Sequence, residues 1–179
     1  MSSEKELDLA LEKCLKTDAA FCRWFLSKTK TGADYSECVW SRSNHPWGKV
    51  KLLLPNSQTG ALEMVAREGE TDVLVVFESS SKHRLGVHIE NKLASGHFTK
   101  YQPEVCAARA DAWVRNDAYG NYDAWETVLL APVSFYQRYE AEARKFTSFI
   151  AHEDVAAHIP AFAPMNGKAH KAVLTDAAR

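Results

Sequence analysis

The sequence predicts an α/β or α+β protein in which a sheet carries helices packed against it. Three observations support this. Residues 4–28 repeat apolar side chains at helical spacing, residues 71–93 hold two apolar runs either side of a polar turn, and helix and strand patterns alternate after them.

Taken in order, Leu7, Leu9, Leu11, Leu15, Phe21, Trp24 and Phe25 predict a helix over 4–28, with a break near Thr17-Asp18. The stretch 29–49 is turn-rich, with one short apolar piece at Cys38–Trp40. "KVKLLLP" reads as a strand ended by Pro55, "NSQTG" as a turn, and residues 61–67 as a short helical piece. Strands follow at Thr71–Phe77 and Leu85–Leu93, joined by "ESSSKHR". Residues 98–115 read as a helix in which Pro103 is tolerable only near the first turn. After the loop "DAYGNYD", "WETVLLAPVSF" is a strand, 135–146 a charged amphipathic helix, and "FTSFIAHEDVAAHI" a short strand feeding a last helix. From about Pro160 no period is visible, and 160–179 is expected to be a mobile tail of one 1–179 domain.

Composition narrows the class. A chain of 179 residues can bury a real core, and 46% hydrophobic with 25% charged residues is ordinary for a globular protein. The apolar runs are too short for a membrane span, and the charged, helical start is unlike a secretion signal, so a cytoplasmic location is expected. Cys14, Cys22, Cys38 and Cys106 form no C-x-x-C pair and no zinc-ligand spacing, and are expected to be reduced, packed thiols. With 22 basic and 23 acidic residues the net charge of −1 does not advertise nucleic-acid binding, which would have to rest on a local patch.

Chemistry concentrates in "ETDVLVVFESSSKHRLGVHIENKL", residues 70–93. Charge in core strands is expensive unless paired, bound to metal or solvated. Side chains two apart in a strand share a face about 7 Å apart, which puts His88, Glu90 and Lys92 together. If the two strands pair through the turn, Asp72 arrives beside Glu90 and Lys92 from the start of the first. Two carboxylates held together favour a raised pKa or a divalent cation, and oxygen ligands suit Mg²⁺ or Mn²⁺. A lysine beside them stabilises phosphoryl charge or helps deprotonate an attacking water. That is a minimal set for phosphodiester hydrolysis. Glu90-Asn91-Lys92 is the only Glu-x-Lys in the chain. So short a pattern also arises by chance, as a surface ion pair, and its setting at a strand end carries the weight.

The block "GETDVLVVF…LGVHIENKLASGHFTKYQPE" resembles the core of the PD-(D/E)XK nuclease superfamily, strongly over 70–102 and in order of elements over 36–158. The resemblance implies a restriction-endonuclease-like core, a central mixed β-sheet flanked by α-helices in αβββαβ order. It implies that Asp72, Glu90 and the main-chain carbonyl of Asn91 bind Mg²⁺ or Mn²⁺, while Lys92 serves the water and phosphate. Departures are visible. The first motif is Glu-Thr-Asp rather than Pro-Asp, leaving Glu70 a helper or simply solvated. Gln102 is a candidate for orienting Lys92 or substrate, but Cys106 stands where many relatives have Tyr. Glu12 and Glu37 are both candidates for the acid that a first helix sometimes adds.

His97, Lys100 and Arg109 lie where they could touch phosphates, and a solvated helix face explains them equally well. His88 is either an outer partner of the site or a histidine satisfied inside the sheet. Trp40, Trp47, Trp113 and Trp125 read as packing residues rather than base-stacking platforms. The expected function is a Mg²⁺-dependent nuclease acting on nucleic acid, DNA before RNA, in restriction, repair or defence against foreign DNA. Specificity is left to loops, a homodimer or an accessory protein. Its rivals are an inactive nucleic-acid-binding or protein-interaction module on the same fold, and an interaction protein with no nucleic-acid role.

Overall fold

The computed structural model describes residues 3–56 and 58–164. Helix α1 (Glu4–Thr17) opens with a reciprocal cap in which Ser3 and Glu6 satisfy each other's backbone N–H. The break falls at Asp18, whose extended backbone ends α1 and whose carboxylate accepts from Ala20 and Phe21 N–H to start α2 (Ala19–Ser27). Strands β1 (Tyr35–Arg42), β2 (Trp47–Pro55), β3 (Leu62–Glu70), β4 (Val73–Ser79) and β5 (Arg84–Asn91) follow. Then come α3 (Gln102–Ala112), β6 (Ala124–Ala131), α4 (Val133–Arg138), α5 (Glu140–Ala143), β7 (Ser148–Ala151) and α6 (His152–Val155).

A five-stranded mixed sheet runs β1-β4-β5-β6-β7. The first two pairings are antiparallel and the last two parallel. Strands β2 and β3 form a separate antiparallel ribbon inserted between β1 and β4. Strand alternation divides the core. Val73, Val75, Phe77, Val87 and Ile89 pack with α1 and α2, whereas Leu74 and Val76 pack with Trp113 and Tyr122 beyond α3. Among the described residues no helix is long and apolar enough to cross a membrane.

Several boundaries differ from the sequence reading. Residues 62–70 form a strand, not a helical piece, because a nine-residue register with β2 overrides the helix-favouring Ala, Leu, Glu and Met. The apolar piece at 38–40 is the middle of the longer β1. Strand β6 stops at Ala131, and Pro132 starts α4 instead of extending the strand. The helix expected over 135–146 is two short helices, and α6 is a single turn. Pro160–Phe162 forms a 3₁₀ turn whose Phe162 is buried in the main core, so the expected tail is docked at its start. The rest of it, 165–179, lies outside the described residues. The four cysteines are free thiols, with Cys22 and Cys106 buried.

Candidate active site

The β4/β5 register sets Val73 opposite Ile89, which brings the start of β4 to the end of β5. Asp72 Oδ2 accepts from Asn91 N–H at 2.7 Å. A strand residue directs its N–H and C=O to the same side, so the Asn91 carbonyl also faces Asp72. Glu90 shares the α3 side of the sheet with His88 and is 2% exposed. Lys92 Nζ lies 2.8 Å from its Oε1. Gln102 Nε2 donates to the same oxygen, and Gln102 is itself oriented by Thr99 N–H on its Oε1 at 3.0 Å. The four side chains proposed from sequence, Asp72, Glu90, Lys92 and Gln102, therefore meet at one end of the sheet.

The structure adds residues that sequence patterns missed. Asn91 points to the opposite face, where its side chain donates to Asp8 of α1 at 2.7 Å and its Oδ1 meets His152 Nε2 at 2.8 Å. Asp8 is fully buried, yet its Oδ2 has no hydrogen bond. His45, in the loop before β2, lies 3.3 Å from Asp8, 3.2 Å from Glu70 and 3.8 Å from Asp72. A bond from Thr71 N–H to the Pro46 carbonyl at 3.0 Å ties that loop beside Asp72. No motif signals His45. Asp8 carried a hint, since an acid inside the apolar stripe Leu7-Leu11-Leu15 is itself an anomaly.

The other sequence candidates separate cleanly. Glu12, one turn beyond Asp8, is engaged by the Ser41 and Ser43 hydroxyls. Glu37 pairs with Glu78 toward the far end of β4 and takes no part. Glu70 borders the site through His45. Arg109 is buried, donating to Thr71 Oγ1 at 2.9 Å and to the Glu70 carbonyl at 2.5 Å, so it holds the β3–β4 junction rather than facing phosphate. His88 is satisfied inside the sheet by Thr71 and Tyr122. His97 and Lys100 are exposed. Trp113 is buried and stacks on Tyr119, while Trp47 stands out in solvent.

Excess negative charge marks the cluster. Burial pushes Glu90 up to about 8, with Asp72 adding repulsion that Lys92 only partly offsets. Burial likewise raises Asp72 and Asp8 to about 6, against the bonds each accepts from Asn91. For Lys92 the balance reverses. Burial pulls it down, but Glu90, Asp72 and Glu4 outweigh that and raise it, so the ammonium stays charged at neutral pH. Carboxylates crowded this way are relieved either by taking up a proton or by a nearby cation. His45, Glu70 and Asp72 have donor atoms within 4.8 Å of one another, a group that could hold a metal ion. A mostly apolar cavity of about 550 Å³ opens beside the site between Leu93, Pro132, His152 and Phe162.

The chain matches no protein-family model, no curated protein and no solved structure.

Proposed function

We propose that the chain is a divalent-metal-dependent nuclease that hydrolyses phosphodiester bonds, of DNA before RNA, on a restriction-endonuclease-like core. One observation carries the reading. The carboxyl of Asp72, the residue before β4, acts electrostatically on that of Glu90 in the adjacent β5, at a sheet end where Lys92 and Gln102 both hold Glu90 Oε1. The order α1-β1-β4-β5-α3-β6, once α2 and the β2–β3 ribbon are set aside as additions, supports a comparison with the αβββαβ order that the resemblance implies.

In this reading Asp72, Glu90 and the Asn91 carbonyl hold Mg²⁺ or Mn²⁺. The bound ion would supply a Lewis acid and acidify water. The protein's own groups divide the remaining work. Lys92, charged at neutral pH, neutralises a non-bridging phosphate oxygen as charge builds there, which favours electrostatic stabilisation over a role as general base. Gln102 fixes the Glu90 rotamer from the start of α3, and the Asn91 N–H fixes Asp72. The test is incubation of the full chain with linear, circular and single-stranded DNA and with RNA, in Mg²⁺, Mn²⁺ or EDTA. Cleavage that needs the metal and vanishes in Glu90→Gln is expected. No cleavage of any substrate, or cleavage that survives EDTA, sinks the reading.

A second reading, an inactive interaction module on this fold, draws on the outer face of the ribbon. Trp47, Leu53, Leu62 and Met64 are all more than half exposed there, on a chain of near-neutral charge. Nucleic-acid affinity that does not fall with added salt would favour it.

A further inference from the structure

We propose that His45, Glu70 and Asp72, backed by Asp8, form a nitrogen-bearing cation site that takes a first-row transition ion, Mn²⁺ in preference to Mg²⁺. The site is distinct from the all-oxygen set of Asp72, Glu90 and Asn91 but shares Asp72 with it. The proposal deepens the nuclease reading, on which it rests only for its catalytic meaning.

The two ring nitrogens of His45 have different surroundings. Nδ1 faces Glu70 Oε1 at 3.2 Å and Asp72 Oδ1 at 3.8 Å. Nε2 faces Asp8 Oδ2 at 3.3 Å, and neither of those two buried atoms has a hydrogen bond. Metal-binding histidines generally direct the second ring N–H at a carboxylate, which fixes the tautomer and leaves the other nitrogen's lone pair for the ion. Asp8 is placed for that task. It is completely buried and held on its other oxygen by Asn91, so it cannot turn to water. A simple ion pair would explain one carboxylate at His45, but three surround it.

Access and chemistry agree. The Glu70 side chain is 55% exposed and that of His45 26%, so the donor set opens to solvent on one side. Asp72 Oδ2 is committed to Asn91, which leaves Oδ1 to face His45. Imidazole favours transition ions, whereas Mg²⁺ prefers oxygen ligands and retains its water. His45 holds a left-handed backbone, φ 51°, which an ordinary side chain rarely adopts but Asn tolerates.

That last property selects the test variant. Binding of Mn²⁺ and of Mg²⁺ to the metal-free full chain is measured by calorimetry, with free Mn²⁺ followed by electron paramagnetic resonance and no nucleic acid present. The wild type should prefer Mn²⁺ by roughly ten-fold or more, and His45→Asn should lose most of that preference while keeping Mg²⁺ affinity and melting temperature. Equal affinity for the two ions in the wild type, or undiminished Mn²⁺ preference in His45→Asn, overturns the site. Should His45→Asn misfold, Glu70→Gln, at an exposed side chain that belongs only to the nitrogen-bearing set, must lose the same Mn²⁺ preference, and its retention there is equally decisive. Cleavage is not read, so an inactive protein with selective Mn²⁺ binding removes the nuclease reading and leaves this one standing. A metal-dependent nuclease whose Mn²⁺ binding ignores His45 does the reverse.

Discussion

Lys92 Nζ sits 2.8 Å from Glu90 Oε1, two positions away on one strand face, with only 14% of the lysine side chain and 2% of the glutamate exposed. Such a pair serves chemistry, folding or both, and the two roles separate by substitution. If it is structural, Lys92→Ala strands a buried carboxylate at a cost of about 3–5 kcal/mol. The raised pKa of Glu90 weakens that expectation, since the carboxyl can take up a proton instead. Lys92→Met, which keeps the apolar stem, is therefore expected to melt near the wild type while losing metal-dependent cleavage. Melting and cleavage are measured on one preparation. Full activity in this variant would falsify the role given to Lys92.

Stability should depend on pH in an unusual direction. Asp8, Asp72 and Glu90 are all raised by burial, so between pH 4 and pH 8 the folded state binds more protons than the unfolded chain. Stability from these groups is then complete below pH 4 and is lost as pH rises through about 6 and then about 8. Melting of the protein in EDTA should show this decline. Glu90→Gln should flatten its upper part, and Mg²⁺ or Mn²⁺ should reverse it by binding the ionised form. A metal-free melting temperature that climbs steadily from pH 5 to pH 8 would contradict the assignment.

Arg109 tests the division between scaffold and substrate contact. Its guanidinium is buried on Thr71 and the Glu70 carbonyl, directly before Asp72. Arg109→Met should cost about 3 kcal/mol, a fall in Tm of roughly 6–12 °C. The salt dependence of nucleic-acid affinity should not change, because no phosphate contact is lost. An unchanged melting temperature with a shallower salt dependence would return Arg109 to the substrate side.

How much was legible in the sequence follows from which signals are local. The β4–β5 hairpin carries its own register in alternating side chains and a polar turn, so the approach of Asp72 to Glu90 could be read directly. Gln102 was named through the family resemblance rather than from local signals, since the helix expected over 98–115 begins only at Gln102, with Pro103 in its first turn. Strand β3 was not legible, since its composition favours helix and only pairing with β2 makes it extended. His45 and Asp8 were beyond reach for another reason. Each joins the site through tertiary contact alone, Asp8 from 83 positions before Asn91, and neither spacing nor periodicity encodes such a meeting.

Asp8 gives the sharpest separation of stability from function. As a carboxylate it faces Asp72 across the His45 ring and raises that neighbour's pKa, so both oppose ionisation in the metal-free protein. Asp8→Asn keeps the shape and an oxygen to accept from Asn91, and its amide can donate to a neutral His45 Nε2. It removes one buried charge. The variant should therefore melt higher than the wild type at pH 8 in EDTA, by a few degrees if the gain is about 1 kcal/mol. It should bind Mn²⁺ more weakly, by roughly 10–100-fold, because the orienting carboxylate is gone. Differential scanning and Mn²⁺ calorimetry on the same sample read both signs. A residue retained for folding alone would lose stability on substitution and leave the metal untouched. Stability gained together with affinity lost is the signature of a charge kept for what it binds.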